Sequence, residues 1–508
     1  MENNIENTIE YLIEHYMEEN IIEYLIENII ENVVERNNRN ENNENDENII
    51  SNYPIVIERK KIEKEKTVEI DGILILGGDN EKQIWKQSNK FFILNKNFEK
   101  TFLCEMVCGK CLFAIEKYCH YLFIFGGYDG SKCTNDIFRY DFITNKWDIV
   151  GNLIERRTGC FSILDEKNHK IYIMGGTQCK QLVSVIEEYD LITGISNNFI
   201  KTDLPRSCGG AILYDEKIYM FGGSKNQKDF FLEILDIKTK SFEFKKNIIL
   251  NNSGIAYCFS LMDNIPCIFI VCGETFTKNN NKKIRNYFND FYYYDINNNT
   301  LNTLPSPKYC RTYCSFVVQE NNLYLISGYD GNNVISDIEV FSLDTKTWTI
   351  KSNNNINQCG SGIIGVQNET YNIKGNIVNN KPEGFCEIFL NNQLISKGNY
   401  KNGKKYGKFD EMNITKYYEN DIVLPKVAFY LNKKLSKVEI PLNFLCPISK
   451  EIMLNPVTTS SGSTYERKNI VKWMDSKNTD PLTREIINQE LYKNLILKNI
   501  IEEYVDNL

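Results

Sequence analysis

Histidine is almost absent, with three in 508 residues. Sites that need several imidazoles, for catalysis or for metal binding, therefore have little to draw on. From Ile440 to the C-terminus there is one cysteine, Cys446, and no histidine, so the four nitrogen or sulfur ligands of a tetrahedral zinc site cannot come from that region. No apolar run reaches the roughly 18 residues needed to span a bilayer. The first residues, MENNIENTIEY, lack the basic start and continuous apolar core of a secretory signal. These absences predict an intracellular protein, cytoplasmic or nuclear, with no membrane span. Basic residues are not in excess: 59 Lys and Arg stand against 67 Asp and Glu, a net charge of -8. Without a concentrated basic face, nucleic acid is not an expected partner.

Apolar residues make up 42% and charged residues 25% of the chain, values of folded soluble domains. A chain of this length needs two to four cores. Sixteen cysteines raise disulfides or zinc, but Cys111, Cys160 and Cys314 recur at matching places in CLFAI, CFSIL and CSFVV. That placement is of buried strand residues acting as small hydrophobes. Cys104, Cys108, Cys111 and Cys119 beside His120 make a zinc-like grouping, yet their segment is already accounted for by a repeat.

An apolar strand ending in a glycine turn recurs as LILGGD, LFIFGGYDG, IYIMGGT, IYMFGGS, IFIVCGE and LYLISGYDG, at steps of 49, 49, 47, 50 and 55 residues. A period near 50 points to a propeller, in which units too small to bury their own apolar faces stack radially. The long last step carries TFTKNNNKKIRN, read as a surface loop. A second strand in five units ends in RYD, EYD, ILD, YYD or SLD, followed in two units by Trp147 and Trp348. This pattern resembles the Kelch repeat over residues 67–370 and implies a six-bladed β-propeller. The first unit lacks the strand before its glycine turn, while Cys359 to Gln367 follows the last unit unpaired, so this segment is expected to join blade one and close the ring. Copper-dependent Kelch oxidases need histidine ligands, and only His120 and His169 lie in the repeat. The expected role is therefore binding, with no cofactor.

Residues 371–430 carry a shorter repeat, with Gly375 and Gly384 followed 23 residues later by Gly398 and Gly407. It resembles MORN repeats, successive β-hairpins with glycine turns. A small spacer is one reading, with Lys401, Lys404, Lys405 and Lys408 solvated; a lipid or protein contact through those lysines is the other.

Residues 440–508 contain FLCPIS, NPV, GSTYER and TDPLTRE. Ile470, Val471, Trp473 and Met474 have the spacing of a short amphipathic helix with Thr464 as its N-cap. Leu497, Ile500, Ile501, Tyr504, Val505 and Leu508 have that of a final helix. The segment resembles a U-box across its whole length, an α+β domain that presents, without zinc, the surface a RING domain builds on two metal ions. The resemblance implies a ubiquitin-protein ligase with no covalent intermediate, so Cys446 is no nucleophile. It holds a charged ubiquitin-conjugating enzyme so that the thioester meets a substrate lysine, a gain of position. It also implies roles: Ile448, Trp473 and Pro481 form the apolar platform for the conjugating enzyme, and Arg484 bridges enzyme and ubiquitin. Ser463 departs from the usual histidine of GHTYER, and Lys450 stands where an aliphatic or aromatic residue is common, narrowing the choice of enzyme. A noncatalytic scaffold with an inactive U-box is the alternative.

Ile and Leu at helical spacing over residues 1–36 predict an amphipathic segment, either a coiled coil that makes a homodimer or a stripe packed on the propeller. Residues 37–66, with NNRNENNENDEN, read as a linker. The fold class expected is mainly β and multidomain: a six-bladed Kelch propeller, a small MORN-like hairpin region and a C-terminal α+β U-box. Its substrate, bound on the propeller, is not readable from spacing.

Overall fold

The computed structural model describes residues 62–506 except 81–86, 225–230, 251, 280–281, 352–355, 357, 413, 420–421, 425–440, 475–476 and 489. The amphipathic N-terminal segment, and with it the dimer reading, lies outside the described residues.

Each repeat unit forms a four-stranded antiparallel sheet. In blade 2 the strands are Ala114–Tyr118, Tyr121–Phe125, Asp136–Asp141 and Lys146–Asn152. Blades 3 to 6 repeat the order from Thr158, Ser207, Ala256 and Ser315, blade 3 with one extra short strand. The first strand of every blade touches that of the next, and the cycle closes from Ser315–Gln319 through Gly362–Val378 to Ala114–Tyr118. Six core clusters each straddle one junction. Leu122 and Ile124 of blade 2 meet Leu74 and Leu76 of blade 1, and at the far side Val317 and Ile326 of blade 6 meet Ile73 and Ile75. Blade 1 takes its first strand from the C-terminal side: Gly362 to Val366 pairs with Leu76 to Gly72, as the unpaired segment led us to expect. Strand Ile62–Leu76 begins inside the stretch read as a linker. Removing residues 358–424 is expected to abolish cooperative thermal unfolding of the propeller, because blade 1 would lose its inner strand; an unchanged transition would show that the ring does not need this closure.

The glycine pairs have a specific cause. The second glycine of a turn donates its N–H to a carbonyl of the next blade: Gly127 to Arg157 at 2.9 Å and Gly176 to Arg206 at 2.8 Å. Both glycines have φ above +90°, and a Cβ on either would sit 2.9 Å from a backbone oxygen. Only glycine permits that approach at this backbone angle.

The carbonyl acceptor belongs to a residue whose side chain turns inward. In blades 3, 4 and 6 it is Arg157, Arg206 or Arg311, paired with Glu187, Glu233 or Glu339 at 2.5, 2.9 and 2.6 Å, all six side chains at most 2% exposed. Each arginine also donates to the carbonyl of the first turn residue, Gly175, Gly222 or Ser327. Blades 2 and 5 replace both partners together. Lys110 bonds Gly126 O and Asp136 beside Phe138, and Asn252 stands with Tyr292 beside a cavity of about 120 Å³.

Two expectations are corrected. TFTKNNNKKIRN is not a loop: Ile265–Asn279 and Lys282–Asp295 pair continuously to their tips. Its β-branched and aromatic residues favour strand, and Tyr287 packs its ring edge-on against Tyr329 of blade 6. The short repeat does form hairpins, but its aligned glycines are not the turns. The turns are Asn379-Asn380, Asn391-Asn392 and Asn402-Gly403, all at positive φ, as two-residue hairpin turns require. Gly375 and Gly398 instead sit at register shifts within strands, where a Cβ on Gly398 would lie 2.5 Å from the Phe409 ring. These hairpins extend the sheet of blade 1 to nine strands.

Candidate functional site

Residues 441–506 form a small α+β unit. Strands Pro456–Thr458, Thr464–Glu466 and Tyr492–Lys493 make a sheet, packed against helices α1 (Arg467–Met474) and α2 (Leu495–Asp506). Phe444, Cys446, Val457, Tyr465, Ile470 and Ile501 are its buried centre. Thr464 is not an N-cap: it lies in an edge strand of this sheet, where its hydroxyl bonds the Thr458 hydroxyl and accepts from Asn494 Nδ2. Asn494 is the cap of the other helix, its Oδ1 accepting the Leu497 N–H at 3.0 Å.

Two loops flank α1 and share one construction. In the first, Cys446 N–H donates to Glu451 O at 2.7 Å and Lys450 N–H to Cys446 O at 2.8 Å; in the second, Asp480 N–H donates to Glu485 O at 2.8 Å and Arg484 N–H to Asp480 O at 3.0 Å. Lys450 and Arg484 both sit at positive φ, 60° and 67°, and the bridges Leu445 to Ile452 and Thr479 to Ile486 close the two loops. The text matches as well, LCPISKEI against TDPLTREI. Comparing this region with itself would have revealed the pair, and the motif reading passed over it. Ile448 thereby corresponds to Leu482, Pro447 to Pro481 and Lys450 to Arg484.

Each loop is tied down by a buried acceptor. Asp480, 0% exposed, accepts from Thr459 Oγ1, Ser461 Oγ, Tyr465 OH and the N–H groups of Leu482 and Thr483, at 2.6–3.0 Å. Burial alone would raise its pKa; the hydrogen bonds from Ser461, Tyr465, Thr483 and Leu482 outweigh that and hold it well below the ordinary carboxylate range. The Cys446 sulfur plays the matching part, accepting from Glu466 N–H and Asn469 Nδ2. Burial raises that thiol, but these donors together with the Ser449 N–H bring its pKa below the usual value. Glu466 in turn accepts the Leu454 and Asn455 N–H groups at 2.7 and 2.9 Å. Hydrogen bonds to buried acceptors thus hold loops that need a rigid shape.

The four site residues named from sequence fall on this frame. Ile448 is half-buried in the first loop and packs on the core cluster with Trp473 of α1. Trp473 donates its Nε1–H to Thr479 O at 2.7 Å, fixing the second loop to the helix, and Lys477 lies over its ring. Pro481 is half-buried at the second loop's bend, and Arg484 is exposed, with no ion pair among the described residues. Beside them Leu482 is 58% and Ile486 80% exposed, apolar surface the motif reading did not single out. The structure thus brings both loops and α1 together.

Comparison with known proteins places these parts. The family model of the Attractin/LZTR1 beta-propeller matches residues 114–338, and that of the U-box domain matches residues 440–507. The chain is 45% identical over 78 residues to "Probable bifunctional E2/E3 enzyme R795" of Acanthamoeba polyphaga mimivirus, covering 15% of this chain and 6% of that protein. It is 41% identical over 76 residues to "E3 ubiquitin-protein ligase PUB24" of Arabidopsis thaliana, covering 15% and 17%. The chain thus spans less than a fifth of the length of these relatives. A solved structure, "Structure of YjhT", aligns with TM-score 0.44 at 14% identity, over 52% of this chain and 92% of that one. On the two family matches, this chain carries a β-propeller and, at its C-terminal end, a U-box domain.

Proposed function

We propose that the chain is a U-box ubiquitin-protein ligase, whose C-terminal domain holds a charged ubiquitin-conjugating enzyme while the propeller, of Kelch type, receives the substrate protein. The observation that carries this reading is the pair of like-built loops around α1, exposing apolar Ile448, Pro481 and Leu482 next to a cation held at positive φ. Ile448, Pro481 and Trp473 receive the enzyme, with Leu482 as the second-loop counterpart of Ile448. Arg484 orients ubiquitin. The domain needs no group that reacts: an aligned thioester and a substrate lysine supply the chemistry, and the ligase supplies effective concentration. The hairpins after the propeller, in the manner of MORN repeats, extend blade 1, and the cytoplasm or nucleus is where such a protein acts.

The test is an in vitro ubiquitination assay with a panel of conjugating enzymes. Arg484→Ala is expected to slow transfer about 10- to 100-fold, the loss of one charge-assisted hydrogen bond of roughly 1.5–3 kcal/mol, while leaving enzyme binding nearly intact. Ile448→Ala combined with Leu482→Ala is expected to abolish binding itself, read by calorimetry. Conjugates that survive both changes would remove the site assignment, and no conjugates with any enzyme would favour a scaffold whose U-box is inactive.

A further inference from the structure

Blade 5 carries an arm that the ring does not use. The outer strands of this blade stop pairing at Val271 and Phe291, while the middle two run on from Gly273 opposite Phe288 to Asn279 opposite Lys282. At about 3.3 Å per residue that is about 20 Å of two-stranded ribbon. Its base is fastened: Tyr287 meets the Tyr329 ring at 6.1 Å, Glu274 exchanges main-chain bonds with Ser253, and the buried Glu274 carboxylate takes the Tyr313 hydroxyl at 3.1 Å and Arg285 at 3.4 Å. Beyond that base the ribbon has little to hold it, since a two-stranded hairpin outside a larger sheet is marginally stable in water unless something covers it.

The arm displays a definite chemistry. Phe276 is 38% and Ile284 42% exposed. Phe276 stands opposite Arg285, and Ile284 opposite Thr277; opposite residues share a face and neighbours alternate, so each face of the ribbon carries one apolar residue. The Arg285 guanidinium lies 5.0 Å from the Phe276 ring. In sequence, Thr275 to Tyr287 contains Lys278, Lys282, Lys283 and Arg285 and no acidic residue, on a chain of net charge -8. Glu274 offsets Arg285 at the base, and the arm's own sequence has nothing to offset the three lysines.

Both outer edges of the ribbon are open. Residues 275–279 and 282–287 pair with each other and, among the described residues, with no further strand. Cations along such an edge deter pairing with a second copy of the same ribbon, where like charges would meet, and favour an acidic strand. We infer that the arm binds an extended acidic segment of a partner protein, its main chain added to an edge of the ribbon, its carboxylates on the cations and an apolar residue against Phe276 or Ile284. A polynucleotide or an anionic membrane meets the same charge but cannot use the open main-chain groups. The inference rests on the propeller being the substrate receptor, and it names the class of substrate: a protein with an exposed, extended acidic stretch.

The experiment is fluorescence anisotropy of a labelled decapeptide of alternating glutamate and valine titrated with the full chain. The same peptide with lysine for glutamate, a labelled oligothymidylate and sedimentation with phosphatidylserine vesicles are the comparisons. Saturable binding of the acidic peptide with Kd at or below about 100 μM is expected, weakening at least about tenfold between about 0.05 M and about 0.5 M salt. Lys282→Glu joined with Lys283→Glu is expected to weaken it at least about tenfold. Replacing residues 275–286 by an Asn-Gly turn is expected to abolish binding while the propeller keeps its melting temperature, because none of these residues belongs to the cores of blade 5. No saturable binding of the acidic peptide, equal binding of its lysine counterpart, tighter binding of the oligonucleotide or the vesicles, or unchanged affinity without the arm would each overturn the inference. No conjugating enzyme takes part, so failure here leaves the ligase assignment standing, and a chain that binds the peptide but transfers no ubiquitin would fail that assignment alone.

Discussion

Arg311→Met is expected to lower the stability of the propeller by about 3–5 kcal/mol, whereas Arg311→Met joined with Glu339→Leu is expected to recover most of that loss. The reason lies in what each change leaves behind. Arg311 and Glu339 are both 0% exposed; Arg311 donates to Ser327 O at 2.8 Å, and Glu339 receives the Lys308 N–H at 2.5 Å. Removing the cation alone strands a buried carboxylate, and breaking a buried pair costs about this much. Removing both charges leaves a site of similar volume without an ion, which is often close to neutral. The chain already contains the comparison. Tyr292 occupies in blade 5 the strand position of Glu339, each opposite the residue two before the turn, and there the arginine is absent too, with Asn252 in its place. Urea denaturation of the parent and both variants checks this. A single variant as stable as the parent, or a double variant worse than the single, would show that the pair is not energetically coupled.

These pairs also mark where the text of the chain stops being informative. The glycine turns are legible because each demands a residue type: φ above +90° beside a carbonyl of the next blade admits only Gly127 or Gly176. The closing strand is legible for a similar reason, since blade 1 lacks a strand that residues after Cys359 can supply. Arg157 and Glu187 are 30 residues apart; the pair recurs as Arg206–Glu233 and Arg311–Glu339, but two of the blades have exchanged both, so it does not stand out as the glycine turns do. Lys405 reads as solvent-facing because lysine usually is, but it is buried; its carboxylate partner Glu411 lies six residues on in the same strand, Lys404–Glu411, on the face that the hairpins bury. In the U-box, short contiguous motifs made Ile448, Pro481 and Arg484 visible as candidates. What they do not state is which buried acceptors hold the loops, because Asp480 gathers Thr459, Ser461 and Tyr465 from a different part of the domain.

That gathering makes Asp480 the residue on which the candidate site most depends. Asp480→Ala would leave three hydroxyls and two N–H groups without their acceptor, two of them in the loop that carries Pro481, Leu482 and Arg484. Hydrogen bonds to a charged group are worth about 1.5–3 kcal/mol each, and although such losses do not add, the total approaches the whole stability of a domain of this size. Unfolding of the U-box at ambient temperature is therefore expected, with the propeller intact, visible as loss of the U-box resonances in NMR spectra and as loss of ubiquitin transfer. Asp480→Asn is expected to fold with a smaller penalty, because one amide oxygen keeps the Tyr465 and backbone donors and the Thr459 and Ser461 hydroxyls can turn to accept. The charge itself has a pH signature. A carboxylate whose folded pKa is depressed stabilises the fold above its unfolded value of about 4 and loses that contribution as pH falls further. The parent U-box should thus lose stability progressively below about pH 4 relative to Asp480→Asn, which has no proton to take up at that position. Parallel curves for the two proteins across that range would mean that the loop is held by its shape and not by its charge.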